Sequence, residues 1–168
     1  MKKFLVGIVL GFCLPFAAAY FFVSSGRMPV ATKGPPLPFE KAIARKALHA
    51  VMDPEVGHPS PLPANEGNYQ AGARVYQTQC AVCHGRLGQS ESAIARGMFP
   101  HPPQLLPPRK GVTDDLVGET YWKARHGIRL TGMPGYESSL TDTELWQVSL
   151  MLRDADKLPA SVLAILRQ

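Results

Sequence analysis

The run Cys80-Ala81-Val82-Cys83-His84 constrains this chain more than any other stretch of its 168 residues. Two thiols spaced by two residues, with an imidazole directly after, form the attachment signature of c-type haem. In that chemistry the thiols add across the porphyrin vinyl groups and the histidine becomes the proximal iron ligand. A redox disulfide of the thioredoxin kind also uses Cys-x-x-Cys, but it sits beside a strand-helix-strand pattern, which is missing around this motif. A structural zinc site would need a fourth ligand, and only the scattered His101 or His126 are on offer. Two chance cysteines beside a histidine is the remaining reading, and the rest of the chain weakens it.

Sixteen prolines and fifteen glycines punctuate the sequence. They disfavour long helices and regular sheet, so the expectation is all-α: short helices joined by ordered loops. The third cysteine, Cys13, lies in an apolar run, which leaves no disulfide framework. Residues 1–64 hold seven Lys/Arg against three Asp/Glu, whereas 65–168 hold eleven against ten. The basic character therefore belongs to the leader and linker, and no basic run is interleaved with stacking aromatics, so nucleic-acid binding is set aside.

Met1-Lys2-Lys3 precedes twenty uncharged, mostly apolar residues, Phe4 to Val23. At 1.5 Å per residue these would cross a hydrocarbon core of about 30 Å. Ala17-Ala18-Ala19 resembles a signal-peptidase site, yet Tyr20-Phe21-Phe22-Val23 carry the apolar run past it, which favours a retained anchor over residues 1–24. Bulky Phe12 before Cys13 argues against a lipoprotein route. Lys2 and Lys3 would stay in the cytoplasm and the remainder would lie outside. Residues 25–64 read as a linker rich in Pro and Gly. Within it, Phe39, Ile43, Ala47, Ala50 and Val51 recur at helical spacing, predicting an amphipathic helix over 39–52. Packing on the following domain is its ordinary role; lying on the membrane or docking a subunit is the alternative.

The compact domain is expected over 65–168. Gly67 to Thr78 reads as its first helix, with Gly72 letting another helix approach and Tyr76 filling the crossing. The partner is the segment opened by the capping box Thr141-Asp142-Thr143-Glu144, with Trp146 expected to pack on Gly72 and Tyr76. The twenty-eight residues from Gly85 to Val112 show little periodicity, and a loop that long is reasonable if it wraps a haem. A helix capped by Thr113 or Asp114, broken near Gly118, should end at His126-Gly127.

Haem iron with one histidine still has a sixth position to fill or leave open. Met133, between Gly132 and Pro134 in an extended loop, is the leading candidate; Met98, Met151, Met52, His101 and His126 are the others. Leu105, Ile128, Leu130 and Tyr136 would line a dry pocket.

Cys80-x-x-Cys83-His84, then Thr131-Gly132-Met133-Pro134, then a capped terminal helix together resemble a class I mono-haem cytochrome c, most closely the membrane-anchored bacterial type. The resemblance covers about 65–168. It implies one haem c held by Cys80 and Cys83, with His84 proximal and Met133 distal. Pro103-Gln104-Leu105 resembles the family's Pro-x-Leu segment, in which the proline carbonyl accepts the Nδ1 proton of the ligating histidine and the leucine packs on the haem. It also implies export to the outer face of the bacterial inner membrane, and redox proteins as electron donors and acceptors. Two further readings stay open: a five-coordinate haem sensor or peroxidase-like enzyme, for which Arg129 would matter, and a fixed subunit of a membrane complex.

Overall fold

The structure, a computed structural model, describes residues 2–168 and divides the chain into two compact units, Met1–Glu40 and Lys41–Gln168. In the first unit the apolar run forms one helix, α1 (Lys2–Ser24), none of whose residues is buried. It is long and apolar enough to cross a membrane, as an anchor or a signal sequence would be. Gly26, with φ +71°, comes just after its end.

The second unit is all-α, with no strand among the described residues. It begins with α2 (Glu40–Met52), in which Leu48 and His49 are half-buried and Met52 is fully buried. The next helix, α3 (Glu66–Val75), starts where the Asn65 side chain accepts the Asn68 amide at 3.0 Å, satisfying one of the free donors of the first turn. It does not stop at Val75. The backbone widens into a π-turn over Tyr76–Cys80, with the Ala81 amide reaching the Tyr76 carbonyl, and continues as α4 (Ala81–His84). A π-turn admits one extra residue and so rotates the next helical turn about the axis. Gly85, at φ +87°, then turns the chain away.

The wrapping segment after Gly85 is less featureless than its sequence implies. Ser92 caps a short helix, α5 (Ala93–Gly97), and its hydroxyl donates to the Val82 carbonyl, tying α5 to the cysteine motif. The next helix, α6, runs Val117–His126, starting later than Thr113 and without a break at Gly118. Gly118 instead marks a close approach: a Cβ there would run into the Val56 carbonyl. Gly127, φ +69°, ends α6.

The capping box at Thr141 and Glu144 is formed and opens α7 (Asp142–Arg153). A last helix, α8 (Ala160–Leu166), comes after Pro159, where the sequence pattern predicts none. Val162 and Leu166, one turn apart, are fully buried in the core with Tyr76, Val148 and Met151.

The central crossing is α3 on α7. A side chain at Gly72 would collide with the Gln147 carbonyl and sit 3.0 Å from the Met151 Cβ, so the bare glycine sets how closely the helices meet. Tyr76 is buried beside this crossing, as expected, but Trp146 is not at it. Trp146 stacks on Tyr121 of α6, with ring centroids 4.0 Å apart and planes 13° from parallel. The turn of α7 that faces α3 carries Gln147 and Met151, and Trp146 points to the other neighbour.

Candidate haem site

A cleft of about 410 Å³ opens in the second unit, walled by the cysteine motif, the 98–112 segment, α6, the 128–136 loop and α7. Cys80, Cys83 and His84 enter it from the end of the α3–α4 run. His84 is held from several sides. Its carbonyl accepts the Leu105 amide at 3.1 Å and the Tyr76 hydroxyl at 3.0 Å; that hydroxyl also lies 2.6 Å from the Gly85 carbonyl. Its ring Nδ1 lies 2.8 Å from the Pro103 carbonyl. A carbonyl only accepts, so Nδ1 carries the proton and Nε2 keeps the lone pair a metal needs. Burial pushes the His84 pKa below its ordinary value, partly offset by that hydrogen bond, so the ring is neutral.

Burial, then the neighbouring Cys83, push the Cys80 thiol up to about 12. That is the reverse of a redox-active Cys-x-x-Cys, whose attacking thiol is acidified. No group of three or more His, Cys, Asp or Glu side chains able to hold a metal ion converges among the described residues.

Of the six candidates for a second ligand, Met133, Met98 and His101 line the cleft. Met52 and Met151 are fully buried. His126 is exposed and packs against Trp122 at 4.8 Å, lining a separate cavity with Glu55 and His58. His101 is also engaged, its Nε2 lying 3.2 Å from Glu91. The Met133 loop is closed by its own backbone: the Ile128 amide donates to the Met133 carbonyl at 3.2 Å. The Thr131 hydroxyl donates to the Ile128 carbonyl at 2.7 Å and accepts the Met133 amide at 3.1 Å. The loop's far end is fixed by the Tyr136 hydroxyl, which donates to the Gln79 carbonyl at 2.7 Å, directly before Cys80.

Leu105 is buried and lines the cleft, as do Ile128 and Tyr136. Leu130 does not. It is 93% exposed, with φ +61°, so the left-handed backbone at that point turns its side chain to solvent. Arg129 is exposed as well. Several walls were not foreseen: Leu48 from α2, Thr120, Lys123 and Ala124 from α6, and Val148 and Leu152 from α7. The helical spacing of Val148 and Leu152 was the available signal, whereas nothing local marks Leu48.

The donor set and walls fit an iron porphyrin. Two imidazoles, His84 free at Nε2 and His101 engaged with Glu91, two thioethers and two thiols face a cavity otherwise bounded largely by apolar side chains, which suits a soft, redox-active metal in a hydrophobic macrocycle. Residues 67–150 match the family described as cytochrome c oxidase, cbb3-type, subunit III. No curated protein matches the chain. Among solved structures, a chain of the Kuenenia stuttgartiensis reducing HAO-like protein complex is similar at 23% identity and TM-score 0.45, over 60% of this chain and 48% of its own length. The present chain thus spans about half of that one. The match over half of the chain, on a fold that gathers the motif around one cleft, places this protein in the cbb3-type subunit III family of cytochromes c, whose haem c domain transfers electrons.

Proposed function

We propose that the chain is a one-electron carrier with a single haem c, anchored in the bacterial inner membrane by α1, with the second unit on the outer face. Cys80 and Cys83 hold the group covalently, His84 Nε2 is the proximal ligand and Met133 Sδ the distal one. The observation that carries this is the placement of His84 and Met133 on one cleft, with the His84 ring hydrogen-bonded to the Pro103 carbonyl of the wrapping segment and the Met133 amide to the Thr131 hydroxyl of its own loop. When bound, the group supplies an iron centre that takes up and releases one electron. The chain's part is to set the ease of that exchange. A thioether is a weak, soft donor that favours ferrous iron. The buried Leu105 side chain and its apolar neighbours disfavour the additional positive charge of the oxidised state. The Pro103 carbonyl fixes the His84 tautomer and makes the ring more basic. Leu105, buried on the cleft wall, would pack on the bound group. With His84 and Met133 both holding the group, the chain would leave it no place to bond a substrate.

Lys2 and Lys3 at the start of α1 favour the orientation with the second unit outside. The partners are redox proteins of a respiratory or related chain, and the family match also makes a fixed place in a membrane complex a natural setting. The experiment is an optical spectrum of the matured protein, oxidised and reduced, with and without carbon monoxide. A sharp reduced α-band, a weak long-wavelength thioether-to-iron band in the ferric form and indifference to carbon monoxide are expected. Prompt carbon monoxide binding would overturn the Met133 assignment and favour the five-coordinate sensor or enzyme.

A further inference from the structure

Helix α2 carries apolar residues on two sides. With about 100° between successive residues, Leu48 and Met52 share one side, whereas Ile43, Ala47 and Ala50 are turned well away from it and Val51 flanks them. The first side belongs to the domain: Leu48 lines the haem cleft and Met52 is fully buried. Just beyond it, Glu55 accepts the Trp122 indole N–H at 3.2 Å and the Val56 carbonyl closes on Gly118 of α6. The second side has no such partner. Ile43 is 66% exposed and Val51 60% exposed, and every residue from Lys41 to Ala47 is exposed.

Two features of the chain identify what covers it. From residue 25 to 52 there are five basic side chains, Arg27, Lys33, Lys41, Arg45 and Lys46, and a single acidic one, Glu40. Fifteen residues, 25–39, separate α1 from α2, and fully stretched they reach no more than about 50 Å. With α1 retained in the bilayer, α2 stays within about 50 Å of an anionic lipid surface; Lys46, beside the Ile43 side, and the linker's Arg27 and Lys33 carry charge of the complementary sign, while Lys41 and Arg45 fall on the Leu48–Met52 side. Its outward side is shallow, two branched side chains among alanines, which suits the headgroup boundary better than a deep pocket on a protein.

We infer that the Ile43–Ala47–Ala50 side of α2 lies in the headgroup region of an anionic bilayer while its Leu48–Met52 side walls the haem cleft. This rests on the reading of α1 as a retained anchor. One short helix then joins lipid and cofactor site, and it fixes which side of the cleft faces the membrane.

The test uses the haem-loaded full chain with Cys13→Ser, placed in lipid nanodiscs, with a fluorophore on Ile43→Cys, Arg45→Cys or Val23→Cys in turn. In discs containing phosphatidylglycerol, the label at 43 should lose most of its accessibility to a water-soluble quencher, approaching the label at 23, while the label at 45 keeps it. In pure phosphatidylcholine discs the protection at 43 should fall. Adding Ile43→Glu to a label at Ala50→Cys should restore accessibility at 50. A label at 43 as accessible as that at 45 in both lipids would overturn the inference, and so would protection at 43 from the water-soluble quencher together with no quenching by a lipid-borne quencher, which would mean that protein covers α2. The label at 23 reports the anchor alone: if it is open to water, the anchor reading fails, and the label at 43 still decides the lipid contact.

Discussion

Thr131 shows how a single hydroxyl shapes the methionine loop beside the cleft. It donates to Ile128 and accepts from Met133, so the loop closes on itself and the Met133 thioether is presented without support from a helix. Removing the thioether should therefore have a larger effect than removing its brace. In Met133→Ala the midpoint potential should drop by on the order of a hundred millivolts or more, part of the span of about 0.8 V that axial ligands command. The covalent haem should remain and carbon monoxide should bind. Thr131→Ala should shift the potential in the same direction but by less. Redox titration of both variants checks the order, and an unchanged potential and spectrum in Met133→Ala would remove Met133 from the iron. Next to Thr131 in the chain, Leu130 shows a limit of reading residues by type. A leucine between Ile128 and Met133 reads as pocket lining, but its side is decided by a left-handed backbone angle of +61°, a property of the turn and not of the residue.

Among the elements, the α3–α7 crossing depends on Gly72. Because the obstacle to a side chain there is the Gln147 backbone carbonyl, which cannot swing aside, Gly72→Ala should destabilise the holoprotein by about 1–3 kcal/mol in denaturant titration. Gly97→Ala, with nothing within 4 Å, should stay within about 1 kcal/mol of the unmodified protein. The glycine, the Thr141–Glu144 capping box and the Gly127 stop were legible because each is a local device with a fixed spacing. The parts of the site that were legible are likewise short local runs: the cysteine motif, the Pro103-Gln104-Leu105 segment and the methionine loop. The illegible parts depend on distant chain. The break expected in α6 is absent because Gly118, which reads as a helix breaker, instead admits the Val56 carbonyl. The α8 helix has seven residues and only two fully buried ones, Val162 and Leu166, too short a pattern to be distinguished from a tail after Pro159. The partner of Trp146 depends on the rotation of α7, and the Leu48 wall on a residue thirty-six positions before His84.

At the scale of the molecule, Asp154 ties the end of α7 to α3. Burial alone would raise its pKa, but hydrogen bonds from Arg153, Tyr69 and Lys157 outweigh burial and bring it down to about 2. An unfolded aspartate titrates near 4, so this stabilisation is complete above about pH 4 and is lost as pH falls towards 2. The gap corresponds to about 2 kcal/mol. Thermal melts at neutral pH and near pH 3 should show a loss in the native protein that is reduced in Asp154→Asn; equal losses would exclude Asp154 as a source of acid lability. The cleft sets a second expectation for the whole domain. With Cys80 and Cys83 both changed to alanine, a cavity of about 410 Å³ bordered by Leu105, Val148 and Leu152 loses its covalent filling, and helix content by circular dichroism should fall well below the holoprotein's.

The helical run from Glu66 through the π-turn to His84 crosses α7 at Gly72 and delivers the imidazole at its end. The ring is thereby mounted on the most firmly packed part of the domain and steadied by Tyr76, Pro103 and Leu105. On the proposed ligation, such a mounting should rearrange little when the charge beside it changes by one, keeping small the reorganisation that each electron hop must supply in the protein itself. The pace of exchange then passes to conditions outside the domain: how near a partner comes, and how strongly it draws the electron.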